Sequence, residues 1–234
     1  MTPLRPALVL ALVLGLSGVG EVSAAPPPPP APATVTPGTA VLRANKGTTL
    51  RVRIDDRRTV RRISATKRVG DGTAEDSTPT RIDEDSWSAD LVFDRHDPPG
   101  PYDVYVDYYD ASHGYWVSGR TTGAFLVKRD TTLEFDAAPE DVPRGGTLTL
   151  SGVLSRLTAS SSGSDYVGHG SKTLTVQYAP SGGSFSDHST VTTDDDGRFR
   201  KRVTAEGDGT WRVHFAGTSR YDASTSRRDA IHVR

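Results

Sequence analysis

Leu50-Arg51-Val52-Arg53-Ile54 and Trp87-Ser88-Ala89-Asp90-Leu91-Val92-Phe93 make every second residue apolar. A period of two marks strands with one face in a core and the other in water. Tyr102-Asp103-Val104-Tyr105-Val106-Asp107-Tyr108 repeats the pattern, and so, more weakly, does Val60 to Ala65. Tyr115 to Val127 supplies a further strand, with Phe125 and Val127 on one face. The second half is written in the same style. Leu133 pairs with Phe135, Leu148 and Leu150 continue past Gly152 to Leu154, and Leu174 to Tyr178, Phe199 to Val203, Trp211 to Phe215 and Ile231 with Val233 follow. Pro143-Arg144-Gly145-Gly146, Ser181-Gly182-Gly183, Asp194-Asp195-Asp196-Gly197 and Gly207-Asp208-Gly209 separate them as turns. No helical period survives the Pro, Gly and charged breaks after residue 25. The fold class expected is all-β, as two tandem sandwiches of about 100 residues each. The junction falls at Val127-Lys128-Arg129-Asp130, and without a Gly/Ser linker it should be short and stiff.

Ahead of the strands, Arg5 precedes an apolar run from Ala7 to Val19 that ends near Ser23-Ala24-Ala25. This is the pattern of a secretory signal peptide, expected over 1–25. The run is too short for a spanning helix, which needs about 20 apolar residues. The expectation is an exported protein, released or held at the cell envelope, without membrane insertion. Pro26 to Pro37 is proline-rich and reads as a semi-rigid spacer over 26–38. The sandwiches then occupy 39–128 and 129–234. The 234 residues contain no cysteine, which removes disulfides, thiolate metal sites and cysteine nucleophiles together.

Three stretches of the second half carry a family resemblance. They are Val142-Pro143-Arg144-Gly145-Gly146-Thr147-Leu148-Thr149-Leu150-Ser151-Gly152, Thr193-Asp194-Asp195-Asp196-Gly197-Arg198-Phe199, and Trp211 to Gly217 followed by Tyr221-Asp222-Ala223-Ser224-Thr225-Ser226. Residues 131–234 thereby resemble the bacterial immunoglobulin-like domains of exported surface proteins. Pro99 to Val106 resembles them more loosely. The resemblance implies immunoglobulin-like sandwiches and leaves activity open, because such domains serve as spacers, adhesins and enzyme appendages alike.

Net charge is −1, yet charge is segregated along the first half. Arg43 to Arg68 is strongly basic and Asp71 to Asp110 strongly acidic. Alternation turns Arg51 and Arg53 outward on one strand and Asp90 and Asp94 outward on another. In an immunoglobulin sandwich these strands are neighbours, so the charges should pair across them. Asp103 and Asp107 should likewise face Arg61 and Arg62. Any of Arg57, Arg58, Arg61 and Arg62 left unpaired would form a basic face for an anionic wall polymer. Tyr105, Tyr109 and Trp116 form a second candidate, either a glycan platform or a cover for the junction between the halves.

Other chemistries find little support. The six histidines show no metal-ligand spacing, and no metal or cofactor is expected. Asp194-Asp195-Asp196-Gly197 lacks the first and last ligands of a calcium loop and reads as a hairpin turn. Weak calcium binding on the acidic side of the first half stays open as an alternative. Ser64-Ala65-Thr66-Lys67 spells S-x-x-K without its partner motifs, in a strand-like stretch. Ala159 to Asp165 is a polar loop without aromatic residues, expected to be inert. The function expected is a secreted, non-enzymatic interaction or spacer module. The partner would be a cell-wall polymer, a glycan or another secreted protein, not nucleic acid.

Overall fold

The computed structural model describes residues 29–68, 74–110, 114–160 and 164–234. The stretch read as a signal peptide and the first prolines lie outside the described residues. Among the described residues all regular elements are strands.

The first half contains β1 (Thr34–Thr36), β2 (Thr39–Leu42), β3 (Thr48–Asp55), β4 (Val60–Lys67), β5 (Ala74–Ser77), β6 (Thr80–Arg81), β7 (Ser86–Phe93), β8 (Gly100–Asp110) and β9 (Tyr115–Arg129). One sheet has the order β1-β3-β7-β6 and the other β2-β9-β8-β4-β5. These are the A-B-E-D and A′-G-F-C-C′ orders of an immunoglobulin sandwich. The alternating strands sit as expected. Leu50 lies opposite Leu91 and Val52 opposite Ala89, and all four side chains are buried. Phe93, Tyr102 and Phe125 fill one end of the core with ring centroids 5.3–5.4 Å apart. Tyr102, buried near the start of strand F, donates its hydroxyl to the Pro98 carbonyl at 3.0 Å. It forms the tyrosine corner of such sandwiches.

One expectation is corrected. Residues 29–38 do not stand off as a spacer. Pro30 is buried and packs over Gly119, so closely that a Cβ there would lie 2.7 Å from the proline ring. The Ala33 amide donates to Thr121 Oγ1 at 2.8 Å, Ala33 joins the core, and β1 pairs antiparallel with β3. Alternate small residues let this chain close the gap between the two sheets, which a spacer reading from proline content misses.

The second half contains β10 (Thr131–Ala138), β11 (Asp141–Val142), β12 (Thr147–Leu157), β13 (Tyr166–Gly168), β14 (Thr173–Pro180), β15 (Ser186–Thr192), β16 (Arg198–Thr204), β17 (Gly209–Phe215), β18 (Ser224–Thr225) and β19 (Asp229–Val233). β11-β19-β17-β14-β15 form one sheet, with β18 beside β17. β10-β12-β16 form the other, with β13 pairing the end of β12. The immunoglobulin order therefore recurs without strand D, and β16 is left as an open edge. Leu148, Leu150, Leu154, Leu174, Val176, Trp211 and Val213 form a second core. Tyr178 donates to the carbonyls of Gly207 and Asp208, both at 3.0 Å. Here a strand C tyrosine ties down the corner that Tyr102 holds in the first half.

The junction is short, as expected. Only Asp130 separates β9 from β10. The Arg129 amide donates to the Arg220 carbonyl at 3.0 Å, and the Asp222 amide to the Arg129 carbonyl at 2.8 Å. Leu157, from the second half, is fully buried in the first core. Arg95 reaches across to Asp165 at 2.6 Å. Asp165 ends the polar loop expected to be inert, so that end of the loop is a structural clamp. Residues 161–163 lie outside the described residues.

Candidate functional site

The outer face of the sheet β5-β4-β8-β9 gathers the most chemistry. Antiparallel pairing puts Arg62 opposite Asp107, Asp107 opposite Ser118 and Tyr109 opposite Trp116. Residues directly opposite share a face. Trp116 is 60% exposed and Tyr109 41%, although both are large and apolar. Their rings meet edge to face at 5.6 Å. Beside them opens a groove of about 450 Å³ lined by Arg61, Arg62, Asp76, Asp107, Trp116 and the Ser77–Thr78 corner. Arg62 grips Asp76 with two bonds of 2.7 and 3.2 Å, which fixes the fork within the wall. Arg61 stands where the β4 register slips and keeps no carboxylate partner among the described residues. An apolar platform beside fixed donors and acceptors is the makeup of a site for a polar ligand with an apolar face.

The sequence candidates are thus partly united. Arg61, Arg62, Tyr109 and Trp116 come together. The junction-cover reading of the aromatic residues is overturned, because Trp116 begins a strand whose far end, Arg129, is the junction. At about 3.3 Å per residue the two are roughly 40 Å apart. Tyr105 faces the same side, but Arg120 lies over its ring at 5.5 Å. Arg57 pairs with Asp85 at 2.5 Å. Arg58 pairs with Asp56 and donates to the Pro29 carbonyl at 3.0 Å, with its guanidinium 4.0 Å over Tyr108. It anchors the proline-rich segment. A continuous basic face is therefore absent. Arg51 meets Asp90 at 2.9 Å, in the register the sequence implied.

Sequence reasoning missed Asp76, Ser77 and Thr78, because their strand is too short and polar to show a period. It also missed the knot at Asp103. This carboxylate is almost fully buried on the outer face, held by Arg68 at 3.1 Å, by Arg120 and by the Gly123 amide at 2.6 Å. Burial would push its pKa up, but the amide and the two guanidinium groups together bring it below the ordinary carboxylate range. Gly123 takes φ +60°, a left-handed turn in the strand that aims its N–H at the carboxylate.

Five of the acids on which the calcium alternative rested, Asp76, Asp83, Asp85, Asp90 and Asp103, are paired with arginine. Among the described residues no group of His, Asp or Glu is placed to hold a metal ion. Asp194 Oδ1 accepts from the amides of Asp196 and Arg198 at 3.0 and 2.8 Å, with Gly197 at φ +78°. The turn read from the sequence forms, but not as a hairpin: β15 and β16 lie in different sheets, and the turn carries the chain from one to the other. Ser64 lies buried within β4, as its strand-like context implied.

No protein-family model matches the chain, and no curated protein matches it in sequence. Three solved structures are similar in fold. A tetra-tandem repeat in the extending region of a large adhesion protein is 15% identical, with TM-score 0.34, covering 85% of this chain and 49% of that one. The adhesin InvE of Yersinia pseudotuberculosis is 13% identical, with TM-score 0.27, covering 85% and 58%. The D0-D1 domain of intimin is 12% identical, with TM-score 0.31, covering 86% and 97%. The chain thus spans about half the length of the first two.

Proposed function

We propose that the protein is an exported, non-enzymatic interaction module. Two immunoglobulin-like domains, 39–128 and 129–234 with β1 added to the first, form a stiff arm. The arm presents the Trp116 groove to a carbohydrate at the cell envelope. The observation that carries this reading is the exposed Trp116–Tyr109 pair beside Arg61, Arg62 and Asp107, at the end of the first half remote from the junction. An aromatic ring covers the apolar face of a sugar, and the surrounding forks and carboxylates meet its hydroxyls. Export rests on the signal-peptide pattern of residues 1–25.

Intrinsic fluorescence tests the site, because Trp87 and Trp211 are buried and only Trp116 meets solvent. Titration with soluble cell-wall oligosaccharides should shift the emission of the wild type and leave Trp116→Ala unchanged. An unchanged wild-type spectrum across the whole panel would remove the carbohydrate reading and leave the arm as a spacer.

A further inference from the structure

The loss of strand D leaves β16 with one hydrogen-bonded neighbour, β12. Its sequence is Arg198-Phe199-Arg200-Lys201-Arg202-Val203-Thr204. Phe199 and Val203 point into the core. Arg198, Arg200 and Arg202 are exposed on the opposite face. Successive guanidinium groups therefore rise along one edge about 6.8 Å apart, twice the rise per residue of an antiparallel strand.

These three differ from most arginines of the first half. Arg51, Arg57, Arg58, Arg62 and Arg68 are each held by a carboxylate. Arg198, Arg200 and Arg202 have no ion pair among the described residues. The register explains why. Across β12 they face Val153, Ser151 and Thr149, none of them an acid. The acids of that sheet face, Glu134 and Asp136, sit one strand further on, roughly 10 Å from the ladder, and form no ion pair with it among the described residues. Lys201 turns the other way and donates to the Thr190 carbonyl at 3.0 Å. An open groove of about 570 Å³ runs beside the ladder, lined by Arg198, Arg200, Ser151, Gly152, Thr192 and Asp194, the last with its Oδ1 taken up by the amides of Asp196 and Arg198.

We propose that this edge binds a linear polyanion whose charges are phosphodiesters in its own backbone, with Arg198, Arg200 and Arg202 each engaging one phosphate. Arginine forks suit phosphate oxygens in pairs. The exposed large apolar side chains lie elsewhere, at Ile82, Val92, Tyr109, Tyr115, Trp116 and Val167. The ladder therefore has no platform for stacking bases or sugar rings, which disfavours single-stranded nucleic acid and acidic glycans. A polyol–phosphate polymer offers charge without rings. Charged residues on an edge strand also deter edge-to-edge pairing, but that role does not require three forks aligned on one face. The site is independent of the Trp116 groove.

The test is titration calorimetry of the mature chain with a synthetic poly(glycerol phosphate), with polygalacturonate and single-stranded DNA alongside. Binding of the phosphate polymer should weaken roughly 20- to 40-fold between 50 and 200 mM salt, as about three counterion-releasing contacts require. Arg198→Gln/Arg200→Gln/Arg202→Gln should bind at least tenfold more weakly with an unchanged melting temperature. Arg200→Gln alone should be intermediate, which keeps the test valid if the triple variant is unstable. Trp116→Ala should bind like the wild type, so failure of the groove and failure of the ladder are separable. Equal affinity of wild type and triple variant would overturn the proposal. So would absent wild-type binding, or equal binding of the uronate or DNA chain. Self-association of the triple variant with polymer affinity retained would leave only the edge-guarding role.

Discussion

His169 shows what burial does to a single group. Its ring is almost fully enclosed, tilted against Tyr221 with centroids 4.3 Å apart. Burial first, then Lys172 and Arg156, lower its pKa from 6.5 to about 4. The unfolded chain therefore binds a proton that the folded chain refuses between those values. The stability present above pH 6.5 should be lost as pH falls toward 4, by about 2–3 kcal/mol at most. Urea unfolding at pH 7 and pH 5 checks this. His169→Gln should narrow the gap between the two curves, and an unchanged gap would locate the titration elsewhere. Nothing in the sequence announced this residue. Gly168-His169-Gly170 looks like a loop, and only the packing of β13 onto β12 encloses it. Trp116 is the opposite case. Its outward place was legible from alternation, but its distance from the junction depended on the direction of β9, which a period of two does not reveal.

Among the elements, strong alternation was legible and short strands were not. β3, β7 and β8 follow their apolar period, and the pairing of Arg51 with Asp90 follows from it. β1, β5 and β6 have two to four residues each, and their place is set by neighbours rather than by their own pattern. β1 matters most, since it overturns the spacer reading of residues 29–38. Deleting residues 26–38 removes the Pro30 and Ala33 contacts and the β1–β3 pairing. The melting temperature should fall by roughly 5–10 °C, the shift expected from a loss of a few kcal/mol in a chain of this size. A truncated chain that melts with the full mature one would restore the spacer. The charge segregation of the first half also belongs to this scale. It was visible as two blocks, and the structure resolves it into cross-strand pairs that leave Arg61 without one. The ladder on β16 was equally visible as alternating Arg, but its significance needed the missing strand D.

At the scale of the whole molecule, two cores are joined through one residue, Asp130, and clamped by Leu157, Arg95–Asp165 and the Arg129–Arg220 backbone bond. Under the proposed function, the groove of the first half and the ladder of the second give a long polymer two contacts that a small ligand could not use together. Co-sedimentation of residues 26–234 with insoluble cell-wall material, at low and high salt, tests this most directly. The wild type should sediment at both salts. Trp116→Ala should lose the salt-resistant fraction, because contact between an aromatic face and a sugar is not screened. Sedimentation of Trp116→Ala equal to that of the wild type at high salt would contradict the groove as the carbohydrate contact.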